Sequence, residues 1–203
     1  IFHLYTHAFF KSLLFLSAGS VIHALSGEQD MRKMGGLRKR LPRTFPVFLA
    51  GAIAIAGVPF FSGFFSKDAI LAQAFGRGHV VIWALGLFTA ILTAFYMFRL
   101  IFLTFYGEER FGHETSRHLH ESPFLMTAPL FVLAGCSVVA GYVGLPAVLG
   151  EKADLFRRFL EPVVPVAAGG HVSIGTEWIL ILASVAAAAV GIAAAVRLYL
   201  QRP

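Results

Sequence analysis

Charge and cysteine are both scarce in this sequence. Charged side chains make up 14% of the 203 residues, whereas a soluble globular domain usually contains about a quarter. The composition therefore argues against a water-soluble domain. The single cysteine, Cys136, lies in the middle of an apolar run and gives no information about disulfides or metals. We interpret it as a small buried packing residue.

Several motifs that accompany nucleotide and redox chemistry are also missing. The sequence contains no P-loop, no G-x-G-x-x-G after a strand and no C-x-x-C pair. It also lacks a pair of membrane histidines of the kind that would suggest haem. We therefore predict that this chain has no nucleotide site, no redox cofactor and no catalytic residues of its own.

What the sequence has in excess is apolar residues, arranged in long runs. Hydrophobic residues account for 57% of the chain, and the mean hydropathy is +0.74. Runs of about twenty apolar residues are typical of transmembrane helices, and we count five: 1–25, 46–74, 79–106, 123–149 and 177–200. The predicted fold is an all-α, polytopic integral membrane bundle of about five helices, with residues 1–203 forming one membrane domain.

The two ends of the sequence lie within or beside apolar runs. Residue 1 is an isoleucine inside the first run, and this run has neither the basic start nor the small-residue cleavage site of a secretory signal peptide. We therefore interpret the chain as an internal fragment of a longer membrane protein.

Basic residues are distributed unevenly between the predicted loops. If the five runs alternate across a membrane, ten lysines and arginines fall on one side and four on the other. An excess of Lys and Arg marks the cytoplasmic side. We therefore predict that 26–45 is a cytoplasmic basic loop, with 27–37 mostly a solvated linker, that 107–122 is cytoplasmic and exposed, and that 150–176 is an extracytoplasmic loop. The net charge of +6 follows from this asymmetry and does not indicate a nucleic-acid partner.

The first run carries three protonatable side chains, His3, His7 and Lys11, at intervals of four residues. A step of four rotates only about 40° around an α-helix, so the three side chains share one stripe. A charged residue in the middle of a membrane costs about 2.5–3.5 kcal/mol on insertion scales. A functional stripe accounts for that cost better than chance, although each histidine taken alone is also compatible with a satisfied core or interfacial position.

The second run is interrupted by helix-breaking residues. Pro59 has no N–H to donate, and Gly57 and Gly63 permit unusual backbone dihedrals. Interrupted helices next to ionisable groups recur in transporters, and Lys67 and Asp68 follow directly. We predict a discontinuous helix, broken near Gly57–Gly63, with Lys67 as a proton-translocating residue and Asp68 beside it tuning the electrostatics of the pathway. A simple proline kink is the structural alternative.

Other polar residues have weaker signals. Arg99 fits a structural role better than a functional one, and His23 fits an ordinary helix end. Residues 107–122 are rich in His and Glu, but no spacing matches a zinc motif, so we predict no metal site. The mixed-charge segment 151–161 is compatible with a short surface helix.

These motifs resemble those of a known family. The segment 3–16, with His3, His7, Ala8, Phe10 and Lys11, is similar to the H-x-x-x-H-A-x-F-K-A-L-L-F-L signature of the antiporter-like membrane subunits of respiratory complex I, the NADH:quinone oxidoreductase. The similarity continues through residues 19–37, 63–71, 120–123 and 177–178, and it is greatest to the subunit L (chain 5) branch. Lysine at position 67 supports that branch, since sister subunits tend to have glutamate there. Ser12 and Ala69 depart from the commonest residues.

The resemblance implies a proton-translocating membrane subunit, in which Lys67 is the terminal lysine of the broken helix and His3, His7 and Lys11 form a hydrated relay toward it. It further implies other complex I membrane subunits, lipid, protons and water as partners. NADH, FMN, iron–sulfur clusters and quinone would lie in partner subunits, and the location would be a bacterial inner membrane. Two alternatives remain: the antiporter-like subunit of an Mrp-type Na⁺/H⁺ antiporter, and a purely structural membrane scaffold.

Overall fold

The computed structural model describes residues 1–145, 154–164 and 173–201, and regular structure in this part of the chain is helical. The long helices are α1 (Phe2–Ala24), α2 (Thr44–Ala56), α3 (Ser62–Gly76), α4 (Val80–Phe105), α6 (Phe124–Val139) and α8 (Ile174–Tyr199). Two short helices, α5 (His113–His118) and α7 (Leu155–Leu160), lie in the connections. Turns of 3₁₀-helix cover Met31–Lys33 and Ala140–Val143. The predicted all-α bundle is confirmed.

Three helical segments in the described ranges are long and apolar enough to cross a membrane: Val80–Phe105, Phe124–Val143 and Ile174–Tyr199. Helix α1 has 23 residues and is about 35 Å long, but its lysine and histidines make it less apolar. Helix α2 is a shorter apolar helix of 13 residues, and α3 continues after the interruption. The predicted run 123–149 reaches beyond the described residues at 146–149.

The outer faces of the bundle are strongly apolar. Val81 on α4 is 74% exposed, Leu125 on α6 is 88% exposed and Ile179 on α8 is 66% exposed. Between the helices, small residues permit close contact. A side chain at Gly191 of α8 would collide with the carbonyl oxygen of Ile91 on α4, so these two helices pack backbone to backbone.

The connections 26–45 and 107–122 form one packed layer at one end of the bundle. The N–H of Arg38 donates to the carbonyl of Phe105 at 3.1 Å, and the Arg110 guanidinium donates to the carbonyls of Arg32 and Leu103. Leu37 and Leu41 are fully buried. The linker 27–37 is therefore not merely solvated, because Leu37, with Leu41 beyond it, completes the core beneath the loop. The cytoplasmic location of this layer stays a prediction.

The opposite end of the bundle holds the start of α1 together with α7. The rings of Phe2 and Phe156 lie 5.1 Å apart, and Gly144 pairs with Asp154 in an isolated bridge. Within the segment 151–161, α7 accounts for the predicted short helix, and 151–153 lie outside the described residues. The predicted loop 150–176 is too long at its end, because α8 begins at Ile174; its positions 150–153 and 165–172 also lie outside the described ranges.

Candidate functional site

The helix break predicted near Gly57–Gly63 is present. Helix α2 ends at Ala56, and Gly57 adopts a left-handed conformation with φ of 79°. Glycine reaches this conformation without the steric cost that other residues meet. Phe60 also has a positive φ, of 72°, before α3 begins at Ser62. The chain is thus interrupted for five residues between two apolar helices.

The two halves of the interrupted helix approach each other closely at Gly63. A Cβ atom built on Gly63 would collide with the carbonyl oxygen of Ala54. Gly63 is itself in the first turn of α3, and Ala54 is in the last turn of α2. The absence of a side chain at position 63 therefore allows the end of α2 to rest on the start of α3.

Lys67 binds the free carboxyl end of α2. Its Nζ donates to the carbonyl oxygen of Ile55 at 2.6 Å. In an uninterrupted helix that oxygen would accept the N–H four residues later, but residue 59 is proline and has none. The lysine amine therefore replaces the missing N–H, and it lies at the negative end of the helix dipole, where a cation is favoured. The Lys67 side chain also lies against Gly57, where an added Cβ would be 3.5 Å from Cδ.

Asp68 points to a different neighbour. It is 7% exposed, and its Oδ2 atom has no hydrogen-bond partner among the described residues. Its carboxyl faces Ser184 on α8. The ion pairs found in the described part of the chain involve other residues, so Lys67 and Asp68 diverge, in agreement with their separation of about 100° on a helix.

His3 connects α1 to the start of α3 through two hydroxyl groups. His3 Nδ1 lies 2.9 Å from Ser66 Oγ, and Thr6 Oγ1 donates to the same Ser66 oxygen at 2.8 Å. Thr6 and Ser66 are almost completely buried, with 0% and 1% exposure. The protonatable stripe of α1 is thereby joined to the residue that precedes Lys67.

The other two members of the stripe are less enclosed. The rings of His3 and His7 lie 5.5 Å apart, and His7 is half-buried, whereas Lys11 is exposed. The structure therefore brings His3 next to the broken helix, with His7 one turn away and Lys11 two turns away. No hydrogen bond within the described ranges joins Lys11 to Lys67.

Sequence reasoning missed Ser66, Thr6 and the carbonyl of Ile55. Ile55 had a readable signal, since it lies four residues before a proline and its carbonyl must lose a helical partner. Thr6 follows His3 by three residues and so shares its helix face. Ser66 had no comparable signal, because its contact with His3 spans 63 residues of sequence.

Histidines also line a shallow groove at the other end of α1. The groove has a volume of about 570 Å³ and is lined by three histidines and four other residues: His23, His118, His120, Gly19, Ile22, Ser26 and Gly27. The rings of His23 and His120 lie 6.1 Å apart. Within the described ranges, no three His, Cys, Asp or Glu side chains are arranged to hold a metal ion.

Comparison with known proteins identifies relatives of this chain. Residues 1–93 match the family model described as NADH:quinone oxidoreductase/Mrp antiporter, TM. The chain is 49% identical to NADH-quinone oxidoreductase subunit L of Rhodobacter capsulatus over 182 residues, covering 84% of this chain and 25% of that protein. It is 45% identical to subunit L of Mycobacterium tuberculosis over 206 aligned residues, covering 100% and 31%. Chain 5 of NADH-ubiquinone oxidoreductase from Dictyostelium discoideum is 49% identical over 150 residues, covering 70% and 22%. The chain thus spans 22–31% of the length of these relatives.

Proposed function

Because the chain belongs to the NADH:quinone oxidoreductase/Mrp antiporter membrane family, we propose that it carries part of a proton pathway in a membrane subunit of NADH:quinone oxidoreductase. The Mycobacterium tuberculosis relative, which aligns with the whole of this chain, is named NADH-quinone oxidoreductase subunit L. In this proposal, electron transfer takes place in partner subunits, which hold NADH, FMN, iron–sulfur clusters and quinone. The membrane would be a bacterial inner membrane, since bacterial proteins are among the relatives.

The observation that carries the proposal is the position of the Lys67 amine. It binds the end of a broken membrane helix where a backbone N–H is missing. Both the charged and the uncharged amine can donate this hydrogen bond, so the lysine can gain and lose a proton without leaving its place. Ionisable residues inside a membrane protein are functional candidates by default, because they are costly to retain there.

The α1 stripe supplies the remaining steps. A proton taken up at Lys11 or His7 reaches His3 through bound water. His3 in turn contacts the hydroxyl group of Ser66, which lies on the same helix as Lys67. Lys67 then accepts the proton and releases it toward the exit side. Asp68 changes the local electrostatic field from its buried position against α8. Other membrane subunits bias these charges when quinone is reduced.

Replacing Lys67 by alanine tests the proposal. In inverted membrane vesicles that contain the full-length subunit in its complex, Lys67→Ala is expected to lower severely the number of protons translocated per NADH oxidised. The matched control is Lys39→Ala, because Lys39 is an exposed lysine in the 26–45 connection and its loss should leave the ratio unchanged. An unchanged ratio in Lys67→Ala, with normal assembly of the complex, would overturn the proposal.

Cation exchange without redox chemistry is the second candidate, since the matching family model covers Mrp antiporter subunits as well. In that case the same Lys67 pathway would serve a Na⁺/H⁺ antiporter. Two measurements of proton movement distinguish these functions: one with NADH in the absence of Na⁺, and one with Na⁺ in the absence of NADH. NADH-driven translocation in Na⁺-free buffer supports the oxidoreductase, and Na⁺-driven proton movement without NADH supports the antiporter.

A further inference from the structure

We propose that Ser66 and Thr6 are positioning residues that keep the Nδ1 atom of His3 hydrogen-bonded both with and without a proton on it. The inference rests on the proposed function, because it assigns these hydroxyl groups to the same proton pathway. Neither residue is ionisable, and the two come from different helices, α1 and α3. Their role would be to hold the imidazole next to the broken helix while its charge changes.

The three groups form a compact buried network. Ser66 Oγ lies 2.9 Å from His3 Nδ1, 2.8 Å from Thr6 Oγ1 and 3.2 Å from the carbonyl oxygen of Ser62. Thr6 Oγ1 has a second acceptor, the carbonyl oxygen of His3, at 3.2 Å. Each hydroxyl group therefore has at least two acceptors within reach of its single proton, and Ser66 has a third in the carbonyl oxygen of Gly63 at 3.4 Å.

The first arrangement suits a neutral His3 whose proton is on Nε2. Thr6 donates to Ser66 Oγ, and Ser66 donates to the unprotonated Nδ1 of His3. Both hydroxyl protons and the Nδ1 lone pair are then used. All of the distances involved are 2.9 Å or shorter.

The second arrangement suits a His3 that carries a proton on Nδ1. His3 then donates to Ser66 Oγ, Ser66 donates to the carbonyl of Ser62, and Thr6 donates to the carbonyl of His3. His3 has gained one proton and one positive charge, whereas the hydroxyl groups have gained and lost none. Apart from the added proton on Nδ1, the two arrangements differ only in the rotation of two O–H bonds, so no heavy atom has to move.

The ability to switch between these two hydrogen-bond arrangements matters, because a buried polar group without a hydrogen-bond partner is destabilising. A histidine packed against a single fixed donor would lose its hydrogen bond in one of its two states. The titratable groups that face His3 are His7 from α1 and Lys67 from α3. Both are cationic when protonated and cannot accept the Nδ1 proton in that state. The two hydroxyl groups are the uncharged partners that serve both states.

Ser62 provides a matched comparison on the same helix. It is one turn before Ser66 and fully buried, but its Oγ has no hydrogen-bond partner among the described residues. Ser62→Ala and Ser66→Ala therefore remove the same atom from equally buried positions. Only the second change removes a partner of His3.

The experiment measures protons translocated per NADH oxidised, together with the amount of assembled complex, in vesicles that contain the full-length subunit. Ser66→Ala and Thr6→Val are expected to lower the ratio. Ser62→Ala should leave the ratio unchanged, and Thr6→Ser should restore it, because serine retains the hydroxyl group that valine lacks. If Ser66→Ala prevents assembly, the comparison of Thr6→Val with Thr6→Ser decides the question in the same way.

Three results would overturn the inference: a normal ratio in assembled Ser66→Ala, equal losses in Ser66→Ala and Ser62→Ala, or equal losses in Thr6→Val and Thr6→Ser. The Lys67→Ala variant is measured in parallel. If it loses translocation while Ser66→Ala and Thr6→Val do not, only this inference fails. If Lys67→Ala translocates normally, the proposed function fails as well.

Discussion

Single side chains bind both ends of helix α2. Lys67 donates to its carboxyl end, and Glu121 has the complementary role at its start. The Glu121 carboxylate accepts from the N–H of Arg43 at 2.7 Å and from the hydroxyl of Thr44 at 2.6 Å. The helix therefore has a negative group at its positive end and a lysine at its negative end, as the helix dipole favours.

Replacing Glu121 by glutamine should destabilise the start of α2. Glutamine keeps one acceptor oxygen but loses the charge and the second oxygen that binds Thr44. We expect a loss of about 1 kcal/mol, similar to the removal of a helix cap, seen as a lower thermal midpoint in detergent. Glu108→Gln is the control, because Glu108 is exposed and its side chain makes no hydrogen bond within the described ranges. Equal midpoints for the two variants would contradict the prediction.

At the same scale, some oppositely charged residues in the 26–45 connection pair with close neighbours in the sequence. The Arg32 side chain and its backbone N–H both bind Asp30 and hold the pKa of that carboxyl at about 2. This turn keeps its ion pair at any pH at which the protein is handled, because the carboxylate is lost only as the pH falls toward that value. The pair is exposed, so its contribution to stability is small.

At the scale of the helices, the break between α2 and α3 depends on close backbone contact. The sequence predicted the break because Pro59 and two glycines stand in an apolar run, and this reasoning is local. It did not predict that Gly63 rests on the carbonyl of Ala54 or that Lys67 binds Ile55. Those contacts depend on how far the chain turns back after Pro59, which is set by the dihedrals of residues 57–61.

Replacing Gly63 by alanine should push the two half-helices apart. The new methyl group would meet the main chain at Ala54, and backbone cannot move aside as a flexible side chain can. We expect a loss of about 1–3 kcal/mol, typical of overpacking, together with reduced proton translocation. Thermal unfolding in detergent measures the first effect, and the vesicle assay measures the second.

The control for this prediction is Gly135→Ala in α6. An added Cβ at Gly135 meets nothing within 4 Å, so alanine should stabilise the helix by up to about 1 kcal/mol. The prediction fails if both glycine variants shift the thermal midpoint in the same direction.

At the scale of the whole molecule, the two ends of the bundle are different. One end is the packed layer formed by 26–45 and 107–122, and the other holds the start of α1 and α7. Hydropathy predicted the long helices well, because each of them is formed by a long apolar run of the sequence. The packing of the loop layer was not predictable, because Leu37 and Leu41 lie among basic residues that indicated solvent exposure.

The orientation of these ends can be tested by labelling from one side of the membrane. In a background in which Cys136 and any other cysteines of the full-length subunit are replaced, Lys39→Cys and Arg157→Cys place single thiols at opposite ends of the bundle. An impermeant maleimide added outside intact cells should label position 157 and leave position 39 unlabelled until the membrane is opened, as an excess of Lys and Arg on the cytoplasmic side requires. The reverse pattern would invert the proposed topology.

The bond between Lys67 and Ile55 has a consequence for how the protein can be observed at work. A primary amine still has N–H groups after it gives up its proton. The hydrogen bond from Lys67 to the end of α2 can therefore persist when the lysine becomes neutral. Comparing atomic positions before and after turnover would then show little change at this lysine. Probes of electric field, such as a nitrile group placed near Gly57, are the methods suited to detect the event.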